Sequence, residues 1–168
     1  MQEREQLLIK YRAYLEQTHV VFAVTLSTFI KSPMIARSHR MQHFWDQHFI
    51  RRVQRRVPVR VKLDHDFIIE LSPPKKVFDK RDPNGIPKYR TECYYHYHGL
   101  LAVKSEHSHR LWKDGSLNPE LHASLTSFQS AGKYRPFKIP SFDFAPAKNL
   151  EAWGRYIFKA PDSTYGFV

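Results

Sequence analysis

Residues 93 to 103, Cys-Tyr-Tyr-His-Tyr-His-Gly-Leu-Leu-Ala-Val, restrict the fold more than any other stretch. Aromatic and aliphatic residues dominate it, which predicts a buried strand. Side chains at i and i+2 of a strand share a face. His96 and His98 therefore project side by side, with Tyr97 and Cys93 on the other face. Two imidazoles on one rigid face are half of a metal site. Two ordinary histidines on a polar sheet face would give the same pattern.

The chain has 27 Lys and Arg against 16 Asp and Glu, a formal charge of +11. This points to a polyanionic partner, either nucleic acid or an anionic membrane surface. Interleaved rings at Tyr89, Tyr94, Tyr95, Tyr134 and Phe137 favour nucleic acid, because bases stack on them. No run of about 18 apolar residues predicts a membrane span. The charged start Met1-Gln2-Glu3-Arg4-Glu5 leads into no signal core, and Cys93 is the single cysteine. Both features suit the cytoplasm of a host cell. A length of 168 residues suits one domain, 1–168, with a helix over 1–18 and a core over about 20–160.

Periodicity predicts a helix over 3–17, with Leu7, Leu8, Tyr11 and Leu15 on one face. Residues 20–29 read as a strand. Ser32-Pro33 reads as a cap and first turn opening one long helix over 33–56. Met41, Phe44, Trp45, His48 and Arg52 mark one face of that helix, and arginines cover much of the rest. His39 and His43, four apart with no acid between, read as a solvated or DNA-facing pair. Val57, Val59, Val61 and Leu63 alternate with polar residues, as in a half-exposed strand. Asp64-His65-Asp66 reads as a turn or bulge, and 67–71 as a strand again. A loop over 72–90, with a turn at Asp82-Pro83-Asn84-Gly85, precedes the histidine strand over 92–103. Helices follow at 106–113 and 119–127, a strand over 137–144, and a last helix over 147–159. His107-Ser108-His109 lacks an apolar centre and reads as surface.

The last helix carries Tyr156-Ile157-Phe158-Lys159, with Tyr156 and Lys159 on one face. A tyrosine hydroxyl is a covalent nucleophile once its charge is stabilised, and a neighbouring lysine can do that. A core tyrosine beside a snorkelling lysine has the same spacing.

Three elements in order, Phe22-Ala23-Val24-Thr25-Leu26-Ser27, His96-Tyr97-His98 and Tyr156-Ile157-Phe158-Lys159, resemble the motifs of the HUH endonucleases, in particular the rolling-circle replication initiator (Rep) branch with one catalytic tyrosine. The resemblance covers about residues 20–160. It implies an α+β fold of the HUH/Rep nuclease kind (ferredoxin- or RRM-like), with a central antiparallel sheet of about five strands and flanking helices. It implies a site-specific nick in single-stranded DNA at a replication origin, in a plain strand or a hairpin, with Tyr156 taking the 5′ phosphate and Lys159 balancing charge. A divalent ion, Mn²⁺ or Mg²⁺, would sit on His96, His98 and a third ligand on the neighbouring strand. Glu70 is the first candidate for that ligand, with Asp66 and Glu92 as alternatives. Arg155, Arg51, Arg52, Arg55, Lys133 and Arg135 are the expected DNA contacts. No Gly-x-x-x-x-Gly-Lys-Ser/Thr loop is present, so unwinding would fall to a host helicase, with a host polymerase extending the 3′ end. A single-tyrosine transposase or relaxase would use the same chemistry. A basic nucleic-acid-binding domain without catalysis belongs to a different class and stays open.

Overall fold

The computed structural model describes residues 2–28, 30–31, 33–36, 39–71, 76–77, 88–89, 94–126 and 141–157. The elements in order are α1 (Gln2–Glu16), β1 (His19–Ser27), α2 (Pro33–Ala36), α3 (His39–Phe44), a π-helical turn (Trp45–Ile50) and α4 (Arg51–Gln54). Then come β2 (Asp64–Leu71), β3 (Lys76–Val77), β4 (Lys88–Tyr89), β5 (Tyr95–Lys104), α5 (Ser105–Ser108), β6 (Trp112–Lys113), β7 (Ser116–Leu117), α6 (Pro119–Thr126), β8 (Ser141–Pro146) and α7 (Leu150–Ile157). The fold is α+β. Its main sheet is antiparallel with strand order β2-β5-β1-β8, and two short ribbons pair β3 with β4 and β6 with β7.

Helices cover both faces of this sheet, because alternation along β1 and β5 leaves apolar residues on each. On one face Phe22, Val24, Leu26, Tyr97, Leu101 and Val103 pack against Phe44, Trp45, Phe49, Val53 and, from α6, Leu121 and Leu125. On the other face Val21, Ile68, Leu100 and Ala102 pack against Leu7, Leu8 and Tyr11 of α1 and Leu150 of α7. The histidines His96 and His98 share the parity of Leu100 and Ala102, so they lie on this second face.

The sheet has four strands among the described residues, where about five were expected. The missing one is 57–63, which is a turn and coil. Val57, Val61 and Leu63 are buried there and Val59 is 99 % exposed, so alternation in burial is real without a strand. The Val61 amide donates to the Pro58 carbonyl, and Gln54 Nε2 donates to the Val61 carbonyl at 2.8 Å. A local turn and a side chain satisfy the groups that a ladder would have used. Conversely, Asp64-His65-Asp66 is not a turn but the start of β2.

The long helix expected over 33–56 is helical wherever it is described, over Pro33–Ala36 and without interruption over 39–54, with Trp45–Ile50 in π geometry. A π turn takes an extra residue per turn, which rotates everything after it. Phe49, Ile50 and Val53 are consequently buried, while His48 and Arg52 are only half-buried. On α1, Leu7, Leu8 and Tyr11 are buried as expected, but Leu15 is exposed. The turn at 82–85, Ser32, Cys93 and the loop 128–135 lie outside the described residues.

The π turn places Trp45 over the sheet between Phe49 and Phe67, with ring centroids 4.8 and 5.0 Å away. Its indole N–H donates to His65 Nδ1 at 3.0 Å. Indole nitrogen is a donor only, so Nδ1 must carry a lone pair. Burial lowers the His65 pKa, against the opposing pull of Asp46, Asp66 and Asp64. The folded value lies below the unfolded one of about 6.5, so the unfolded chain binds more protons between the two. The stability this site contributes is present above about pH 6.5 and is lost as pH falls below it. Denaturant midpoints of the wild type are expected to drop between about pH 7.5 and 5.5, and His65→Asn to flatten that slope, since an amide oxygen can accept from Trp45 without titrating. An unchanged slope in His65→Asn would contradict this assignment.

Candidate metal centre and nucleophile helix

β5 and its two neighbours bring the motif residues together. The register pairs Thr25 with His98 and Ser27 with His96 across β1 and β5. It pairs Ile68 with His98 and Glu70 with His96 across β2 and β5. Directly paired residues share a face, so Thr25, Glu70, His96 and His98 all point to the α1 side of the sheet.

His98 is the most enclosed of these, at 2 % exposure. Its Nδ1 lies 3.0 Å from Thr25 Oγ1 and its Nε2 lies 2.9 Å from Glu70 Oε2. A ring lone pair cannot face a carboxylate oxygen at this distance without a proton or cation between them. One neutral tautomer donates from Nε2–H to Glu70 and accepts at Nδ1 from the threonine hydroxyl. The other donates from Nδ1–H to Thr25 and points the Nε2 lone pair at Glu70, which calls for the carboxylate to draw back around a cation. A threonine hydroxyl can serve as donor or acceptor, so Thr25 supports either form. The His96 ring stands edge-on to His98, with centroids 6.4 Å apart.

Two imidazoles and a carboxylate are a donor set suited to Mn²⁺ rather more than to Mg²⁺. The contact from Nδ1 to Thr25 is the kind of outer hydrogen bond that orients a metal-bound histidine. Chemically the residues fit a divalent ion. Among the described residues, however, no three His, Cys, Asp or Glu side chains already converge on one point. In this arrangement Glu70 meets His98 directly.

Asp66, the alternative third ligand, is engaged elsewhere. Four strand residues separate it from Glu70, roughly 13 Å. Its Oδ2 accepts from Lys10 Nζ at 2.7 Å and from the Tyr11 hydroxyl at 2.8 Å. Lys10 also bridges Asp64 at 2.8 Å, and the Tyr14 hydroxyl donates to Asp64. Burial opposes the charge on both Lys10 and Asp64. The hydrogen bonds win, raising the lysine pKa and lowering that of Asp64. Burial and the Asp66 charge push the Tyr11 hydroxyl far up. This network fastens α1 to β2. Glu92 lies outside the described residues.

α7 lies on the histidine face of the sheet. Its Leu150 and Trp153 join the cluster with Leu7, Leu8 and Tyr11. Arg12 of α1 pairs with Glu151. Gly154 packs closely on Leu8, whose methyls would lie 3.0 and 3.2 Å from an added Cβ. The backbone of Tyr156 belongs to α7 and Arg155 is exposed on it. The Tyr156 side chain and Lys159, Lys133 and Arg135 lie outside what is described.

The other arginines sit elsewhere. α4 packs on the opposite sheet face through Val53. Arg51 and Arg55 are exposed there, and Arg52 donates to Ser124 Oγ of α6 at 3.0 Å. The fold does not bring these three to the histidines. Asp143 shares the histidine face, because it pairs with Thr25 on β8. Neither Asp143 nor the Thr25–His98 contact could be read from spacing, since both depend on which strands are neighbours.

No family model, curated protein or solved structure matches the chain. Among the described residues no helix is long and apolar enough to cross a membrane.

Proposed function

We propose that this chain is a single-tyrosine HUH endonuclease of the Rep kind, a metal-dependent single-stranded DNA nickase and strand transferase that starts rolling-circle replication. The observation carrying this reading is the register that sets Glu70 opposite His96 and Thr25 opposite His98 on one sheet face. A Mn²⁺ or Mg²⁺ ion held by His96, His98 and Glu70 would polarise the scissile phosphate. Thr25 fixes the His98 ring so that Nε2 faces the carboxylate. The Tyr156 oxygen attacks phosphorus, the bond to the 3′ oxygen breaks, and that oxygen leaves as a hydroxyl. The 5′ phosphate stays on the tyrosine, so attack by a 3′ hydroxyl restores a phosphodiester without an external energy source. Lys159, three residues on in the sequence, offsets the charge that develops in attack. Arg155 contacts the strand backbone.

The direct His98–Glu70 contact favours a second reading, in which the histidines are structural and the domain only binds nucleic acid. Tyr156→Phe separates the two. Wild-type protein with circular single-stranded DNA and Mn²⁺ is expected to give an adduct that survives a denaturing gel. Tyr156→Phe is expected to give none, about 10³-fold down or more, with DNA affinity nearly intact. Tight binding without any adduct, on hairpin-forming substrates too, would leave the binding module.

A further inference from the structure

A cleft of about 700 Å³ opens at the end of the sheet away from the histidines. Six strand residues separate His98 from Lys104 on its rim, roughly 20 Å. Its floor is apolar, made of Ala102 with Val61 and Pro58. Tyr14 and His19 form one wall, with ring centroids 5.0 Å apart. Arg60, Lys62 and Lys104 stand exposed around the rim. The lining also holds two carboxylates, Asp64, bridged by Lys10, and Glu106, 3.2 Å from His107. Three lining cations, Arg60, Lys62 and Lys104, against these two carboxylates leave an excess of positive charge beside a partly apolar cavity.

We propose that this cleft binds a nucleotide, its phosphate on Arg60, Lys62 and Lys104 and its sugar and base against Tyr14, His19 and the apolar floor. The volume lies in the range of small-ligand clefts, about 300–1,000 Å³, and exceeds what a bare phosphate would fill. Aromatic walls beside cations are the chemistry that holds nucleotides without reading their sequence. The nucleotide can be free or part of a strand; the strand case rests on the nucleic-acid reading above.

The test compares wild type with R60Q/K62Q/K104Q, exposed positions whose change should leave thermal stability in place. Binding of dTMP and of a long oligo-dT is measured by calorimetry over a range of salt. If the occupant is part of a strand, the variant binds oligo-dT on the order of 100-fold more weakly at about 50 mM salt, and its log–log salt slope falls by about 2. If it is free nucleotide, dTMP binds wild type and is lost in the variant. Equal oligo-dT affinity and slope in both proteins, with no dTMP binding lost, overturns the inference. The adduct assay on the same samples keeps the two proposals apart. An adduct from the variant shows the nicking centre intact, and a changed slope without any adduct from wild type sinks the nickase reading alone.

Discussion

His98→Ala is expected to lower adduct formation by about 10³-fold or more, well beyond the roughly 10- to 100-fold expected for losing an outer partner such as Thr25. His98 is the residue on which the site converges. It is enclosed to 2 % exposure and contacts β1 through Thr25 and β2 through Glu70. Removing the ring takes away a proposed metal ligand, leaves the Glu70 carboxylate without its His98 contact and frees the threonine hydroxyl. Unpaired polar groups of this kind cost about 1–3 kcal/mol each when buried, and the Glu70 side chain is only 13 % exposed. The variant should therefore melt earlier as well. Activity normalised to the folded fraction, read by circular dichroism, separates the two effects. A variant that folds and still forms adduct at more than about a tenth of the wild-type rate would remove His98 from the mechanism.

Among the described glycines, Gly99→Ala is expected to be the most damaging added methyl. Gly99 faces away from the histidines, opposite Phe67 in β2. A Cβ there would run into the six-membered ring of Trp45 and lie 3.2 Å from the Asp66 carbonyl oxygen. Trp45 cannot step aside easily, because Phe49, Phe67 and the His65 hydrogen bond hold it. Overpacking a dense core costs about 1–3 kcal/mol and sometimes more. The upper end is expected here, a loss of about 5–10 °C in melting temperature for a chain of this size. Trp45→Phe makes room for the methyl, so Gly99→Ala/Trp45→Phe should be more stable than the sum of the two single changes predicts. Additive losses would show that the ring does not set the constraint.

What could be read from the sequence divides along physical lines. β1, β5, α1 and α7 are regular over most of their length, so alternation or a period near 3.6 located them. Parity put His96 and His98 on one face for the same reason, and a strand ending in Glu70 beside them was a reasonable partner. The register that sets Glu70 opposite His96 is a tertiary property, and no local pattern encodes it. The helix over 33–56 was legible, but its buried face was not, because the apolar period slips at the π turn where Trp45 covers Gly99. The 57–63 strand failed because Gln54 and a turn at Pro58 take over its backbone groups. Arg52, an expected DNA contact, is instead bonded to Ser124 of α6, a tertiary contact that helix periodicity does not reveal.

In the proposed mechanism β2 and β5 present Glu70, His96 and His98 as one metal-holding set. Titration of Mn²⁺ by calorimetry, with and without an uncleaved single strand, tests it most directly. The expected result is one Mn²⁺ per chain, binding abolished in His96→Ala/His98→Ala and weakened about 10- to 100-fold in Thr25→Val. Mn²⁺ binding that is absent in both conditions, or equal in wild type and the double variant, would contradict it.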